Sequence, residues 1–114
     1  MAFALTRLGE IAFLSNSAAN VYHLTSGTAY IKAIHLHNTN TTTENVHIWI
    51  VPNNGAADGT AADANKAYDI DLAANETVMI TFEQPLVLTD AHDTIQALST
   101  TANKVTCQIY GATE

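Results

Sequence analysis

Cysteine is nearly missing from this chain. A lone Cys107 in 114 residues excludes an internal disulfide and leaves the redox compartment open. Basic residues are almost as scarce: Arg7, Lys32, Lys66 and Lys104 stand against eleven acids, for a net charge of −7. Phosphate backbones demand clustered Lys and Arg, as do anionic membrane surfaces, so four scattered cations exclude nucleic acid and membrane as partners. No apolar run approaches the ~18 residues of a membrane-spanning helix. Arg7 and Glu10 stand where an export signal needs its apolar core, so synthesis in the cytoplasm without a signal peptide is expected. There is no Gly-x-Ser-x-Gly elbow, no phosphate loop, no zinc spacing and no Asp-x-Asp-x-Asp-Gly calcium loop. The expectation is a protein that is not an enzyme and carries no cofactor.

Charged residues of both signs make up only 13% of the chain, about half the ~25% of an ordinary soluble domain. With 47% hydrophobic residues, a surface rich in Thr, Asn and Ala suits a protein that works packed against others. The length fits one domain spanning 1–114. Area scaling buries about two-thirds of the open chain's surface, enough for one core without metals or disulfides.

What the chain does have is alternation. Segments 31–36, 46–51, 68–72, 78–82 and 105–109 alternate apolar and polar residues at a period of two, separated only by turn-forming residues. That pattern predicts strands that each bury one face. The apolar lead-in 2–14, broken at Gly9, predicts an edge strand or an extended N-terminal arm. Segment 28–38 is the longest strand candidate, with Ile34 and Leu36 on one side and Ala33, His35 and His37 on the other. The polar run 38–45 reads as the solvated tip of a hairpin. Segment 52–66 reads as a loop with one helical turn at 61–64. Residues 73–75 and 99–103 predict two more hairpins, and 83–93 a crossing in which Pro85 requires an edge or loop. The sum is an all-β fold: a single antiparallel β-sandwich, Greek-key or jelly-roll-like, of about eight strands.

Within that frame the sharpest constellation is histidine. His35 and His37 share a strand face, and pairing of His37 with His47 across the expected hairpin would put three imidazoles together, a spacing that permits a metal. The bland reading is polar side chains on a solvated or interface face, and no metal is expected. Trp49 and Val51 lie opposite Val46, Ile48 and Ile50. If the Val46 set faces inward, Trp49 and Val51 form an exposed patch of the kind that anchors protein contacts; the alternative is a strand covered on both sides. Asp69 and Asp71 share a face, while Asp58, Asp63, Asp90 and Asp93 lie in loops, and a solvated acidic surface is expected. Cys107 shares parity with Val105 and Ile109 and is expected inside as a small hydrophobe.

Gly27, His35, His37 and Glu44 resemble the first motif of the cupins, whose His-x-His and glutamate sit on a barrel of this size. The departures are that Gly27 is too far from the histidines, Glu44 follows too late, and no second motif with its Pro, Gly and His lies downstream. Over most of 25–111, the stretches Tyr30-Ile-Lys-Ala-Ile-His-Leu-His-Asn-Thr, Glu76-Thr-Val-Met-Ile, Pro85-Leu-Val-Leu, Asp93-Thr-Ile-Gln-Ala and Val105-Thr-Cys-Gln-Ile-Tyr-Gly resemble small β-sandwich virion proteins of tailed bacteriophages. That resemblance implies a capsid decoration (cement) protein, or else a tail, neck or fibre accessory, commonly a homotrimer and without catalytic residues. Its implied partners are the major capsid protein and further copies of itself, on the capsid surface. Contacts are expected through Phe3, Leu5, Leu8, Ile11 and Phe13 of the lead-in, with Trp49 and Val51.

Overall fold

The computed structural model describes residues 6–9 and 11–114. Among these residues nine strands follow in order: β1 (Thr6–Arg7), β2 (Ala12–Phe13), β3 (Ala19–His23), β4 (Ala29–Asn38), β5 (Glu44–Val51), β6 (Lys66–Leu72), β7 (Thr77–Leu88), β8 (Thr94–Ser99) and β9 (Val105–Thr113). They form two antiparallel sheets packed as a sandwich. Sheet A runs β1-β9-β4-β7, with β2 also paired to β9; sheet B runs β3-β8-β5-β6. Counting β1 and β2 as one edge strand interrupted at Gly9, whose φ is +87°, this is the eight-stranded order of a jelly roll.

Strand parity follows the alternation. Ile31, Ile34, Leu36, Val46, Ile48, Ile95, Val105, Cys107 and Ile109 are buried between the sheets. Ile31 and Ile34 both point inward, although three residues apart, because Lys32 is a bulge: Ile31 faces Gly111 and Ala33 faces Tyr110, leaving Lys32 unpaired on β9. Across the other edge, β7 loops out between its partners of Ala33 (Thr81) and Ile31 (Leu86). The Lys32 ammonium closes that bulge by donating to the carbonyls of Phe82 at 2.7 Å and Glu83 at 3.1 Å. Thus β7 continues to Leu88 where a crossing from residue 83 was expected, and Pro85 sits on a sheet edge, where its missing N–H costs nothing.

The connections differ from expectation in a consistent way. All three predicted hairpins are arches: β4 and β5, β6 and β7, and β8 and β9 lie in opposite sheets. Of consecutive strands in sheet B, only β5 and β6 pair, and they are joined by the long 52–65 loop. A short polar turn serves a hairpin or an arch equally well, so periodicity cannot separate the two.

The arches are held by side chains that the sequence placed in a solvated tip. Asn38 is wholly buried; its amide donates to the carbonyls of Thr42, Leu72 and Ala73, and its oxygen accepts the Asn40 N–H. Glu44, 2% exposed, accepts from the Thr101 N–H and from the Asn40 amide. The 52–65 loop contains one 3-10 turn at Asp63–Asn65 and folds back over sheet B, with the Gly59 carbonyl accepting from Gln96 Nε2 at 3.1 Å.

Candidate functional site

The histidines expected to meet do not. His35 and His37 are on β4 in sheet A, whereas His47 is on β5 in sheet B. His37 Nδ1 pairs with Thr77 Oγ1 at 2.7 Å, directly across the ladder. His47 stands 3.4 Å from Asp69 Oδ2 and edge-on to Trp49, ring centroids 5.7 Å apart. The cupin-like set is therefore dispersed: His35 and His37 point away from the space between the sheets, and Glu44 serves the arch. His35 Nδ1 and Gln108 Oε1 are buried without a hydrogen-bond partner among the described residues. The two residues face each other in register between β4 and β9.

The expected contact residues separate into two groups. Trp49 (7% exposed) and Val51 (1%) form no patch. They lie on the outer side of sheet B, but each is covered: Gly59 of the 52–65 loop stands against Val51, and the ammonium of Lys66, the first residue of β6, lies 5.7 Å from the centre of the Trp49 ring. Leu8 is likewise a core residue at 6% exposure, tied down by its N–H to the Ile109 carbonyl. Phe3 and Leu5 lie outside the described residues. Ile11 and Phe13 are half exposed, and the described part of the lead-in is an edge strand, with Phe13 opposite Thr106 and Arg7 opposite Tyr110.

The two outer faces differ. Among the described residues the exposed large hydrophobics are Ile11, Phe13, Met79 and Val87, each about half exposed, and all belong to the sheet A side. Cross-strand rows on that face read Phe13, Thr106, His37, Thr77, then Gln108, His35, Met79, then Arg7, Tyr110, Ala33, Thr81. The only charge in those rows is Arg7, in a protein of net charge −7. A shallow, mostly apolar depression of about 590 Å³ lies over the last row, rimmed by Lys32 and Met79.

At one end of sheet B lies a cluster that sequence reasoning missed. His23 closes β3, Asp58 comes from the 52–65 loop, and His92 from the β7–β8 loop. Asp58 Oδ1 is 2.8 Å from His23 Nε2 and 2.9 Å from His92 Nδ1, and those two nitrogens are 3.2 Å apart. Asp58 Oδ2 accepts from the Asn20 amide at 3.0 Å. The amide of Asn20, followed by the two imidazoles, holds the Asp58 carboxyl below its ordinary value. No spacing in the sequence links positions 23, 58 and 92; the topology alone joins them.

No protein-family model and no curated protein matches this sequence. A solved structure of Bacillus endospore appendages, described as "a novel family of disulfide-linked pili", is similar over 97% of this chain and 88% of its own, at 18% identity and a TM-score of 0.49. The likeness is one of chain trace and bears on neither assembly nor chemistry here.

Proposed function

We propose that this chain is a non-enzymatic structural subunit that works by burying the outer face of sheet A against neighbouring subunits. In its specific form, the proposal is a capsid decoration protein of a tailed bacteriophage, a homotrimer bridging copies of the major capsid protein on the virion surface. The observation that carries it is the asymmetry of the sandwich. The outer face of sheet B is partly covered by the chain's own 52–65 loop and otherwise presents the exposed carboxylates of Asp69 and Asp71, while the sheet A side keeps Ile11, Phe13, Met79 and Val87 half exposed, beside Arg7 and Lys32. Isolated exposed apolar residues need no explanation, but four on one side of a small domain support the reading of that side as a contact surface.

The magnitudes agree with that role. A standard contact of about 800 Å² per partner is roughly an eighth of the 6064 Å² exposed by the chain. Trimer contacts and shell contacts can therefore coexist, and many weak contacts repeated over a shell sum to firm attachment. Jelly rolls occur in viral capsid domains and also in lectins and cupins, so the fold permits the role and the surface argues for it.

Light scattering of the purified chain, then co-sedimentation with phage shells that lack it, tests the proposal. Expected is a trimeric mass and binding to shells, with both reduced by Phe13→Glu combined with Met79→Glu and Val87→Glu. A monomer that does not sediment with shells, or a triple variant that assembles as before, would refute it. Binding to tail or neck particles instead would retain the structural role and remove the shell.

A further inference from the structure

Protons alone leave one of the three contacts in the His23, Asp58 and His92 cluster without a hydrogen bond. Its three polar atoms form a triangle with sides of 2.8, 2.9 and 3.2 Å. If both facing nitrogens carry hydrogens and donate to Asp58 Oδ1, their mutual contact has no acceptor. If one nitrogen accepts from the other, it has no hydrogen left for the carboxylate. One side of the triangle is always unmet. A cation satisfies all three at once, because each atom then offers a lone pair to one point.

The spacing agrees. Ligands held about 2.1 Å from an ion and at right angles to each other stand about 3.0 Å apart, and about 3.4 Å apart in a tetrahedral set. The observed sides bracket the first value. We propose that His23 Nε2, His92 Nδ1 and Asp58 Oδ1 bind one divalent first-row transition-metal ion, of the zinc, cobalt or nickel kind, with water completing the coordination. Two imidazole nitrogens and one carboxylate select such ions over calcium or magnesium, which take oxygen sets. The three side chains are each about one-third exposed, so the remaining positions face solvent and the ion can enter.

The surroundings hold the ligands in place. Asn20 binds Asp58 Oδ2, which leaves Oδ1 for the ion, the arrangement expected of a group that orients a ligand from behind. His92 has a left-handed φ of +72°, uncommon away from glycine, and its N–H is anchored on the Leu24 carbonyl at 2.8 Å, next to His23. Asp93 accepts from Asn53, Thr89 and Asp90, pinning the start of the loop that carries Asp58 to the loop that carries His92. The bound ion joins three segments distant in sequence and fastens the 52–65 loop over Val51. Its role is that of a staple in a chain that has no disulfide, independent of the assembly proposed above.

Zinc titration of the chelator-treated full chain by calorimetry, with thermal unfolding followed by circular dichroism, tests the assignment. Expected is one zinc per chain and a higher melting temperature with zinc present. Asn20→Ala should weaken binding about tenfold. Asp58→Asn should weaken it further, and His23→Ala with His92→Ala should abolish it. A combined His35→Ala, His37→Ala and His47→Ala variant should keep it. Asp58 is exposed on a loop, so Asp58→Asn keeps the fold, verified by its spectrum, even if the double histidine variant unfolds. The assignment fails if the wild-type chain takes up none of zinc, cobalt or nickel in excess. It fails equally if folded Asp58→Asn binds zinc as tightly as the wild type.

Discussion

The backbone N–H of Thr101 donates to Glu44 Oε1 across 2.8 Å, tying the β8–β9 arch to the first residue of β5. Glu44 Oε2 accepts from the Asn40 amide at 2.9 Å, so one solvent-excluded carboxylate holds two of the three arches at this end of the sandwich. Burial alone would raise its pKa, but the donors from Thr101 and Asn40, with the nearby Lys104 charge, outweigh it and leave the carboxyl lowered from 4.5.

The sign of the pH effect follows. A carboxyl lowered by folding contributes stability that is present above its unfolded value and is lost as pH falls through the folded one. Stability measured by urea unfolding should therefore decline more steeply with acid in the wild type than in Glu44→Gln. Near neutral pH, Glu44→Gln should cost about 2 kcal/mol, since its amide would turn a donor toward the Thr101 N–H or the Asn40 amide. Parallel acid profiles for the two proteins would refute this account.

Cys107 gives a second prediction. It is 4% exposed in the core, and burial pushes its thiol up to about 12. The thiolate is the reactive form, so a thiol reagent at mild alkaline pH should label the native protein only as fast as the chain opens globally, and the denatured protein at once. Rapid stoichiometric labelling of folded protein would place Cys107 elsewhere.

Which parts of this molecule were legible in the sequence depends on distance along the chain. Parity is local, so the shared side of Ile34 and Leu36 and the inward placement of Cys107 with Val105 and Ile109 could be read directly, whereas for Val46 and Ile48 parity grouped the residues without saying which side of the strand met the core. Sheet membership is not local. The polar run 38–45 would close a hairpin as readily as the arch it forms, so His37 was expected beside His47 and lies in the other sheet. Trp49 and Val51 are outward by parity yet covered, Val51 by Gly59 of the 52–65 loop and Trp49 by the Lys66 side chain. The cluster at Asp58 needs strand order, loop path and a left-handed histidine together, none of which leaves a periodic trace.

The lead-in offers a third prediction, since Leu8 and Phe13 read alike in sequence and differ in place. Leu8 is buried in the core, whereas Phe13 is 51% exposed. Leu8→Ala should cost about 2–4 kcal/mol through lost burial and a residual cavity, and Phe13→Ala less than about 1 kcal/mol in the dispersed monomer. Urea unfolding at low concentration measures both. Comparable losses would contradict the placement of this segment as an edge strand with one buried anchor.

The last prediction concerns what keeps Trp49 dry. A Cβ added at Gly59 would stand 2.2 Å from the Pro52 carbonyl oxygen and 2.9 Å from Val51 Cγ1, and the first of these is backbone that cannot rotate away. Gly59→Ala must therefore lift the 52–65 loop, breaking the Gln96 contact to the Gly59 carbonyl and wetting the nearby indole. Trp49 is the chain's one tryptophan, so its emission reports that movement directly. Expected are a red shift in the folded variant, a loss of about 1–3 kcal/mol, and an intact strand spectrum, because the loop lies outside both ladders. An unshifted emission with undiminished stability would mean that the loop does not rest on Val51.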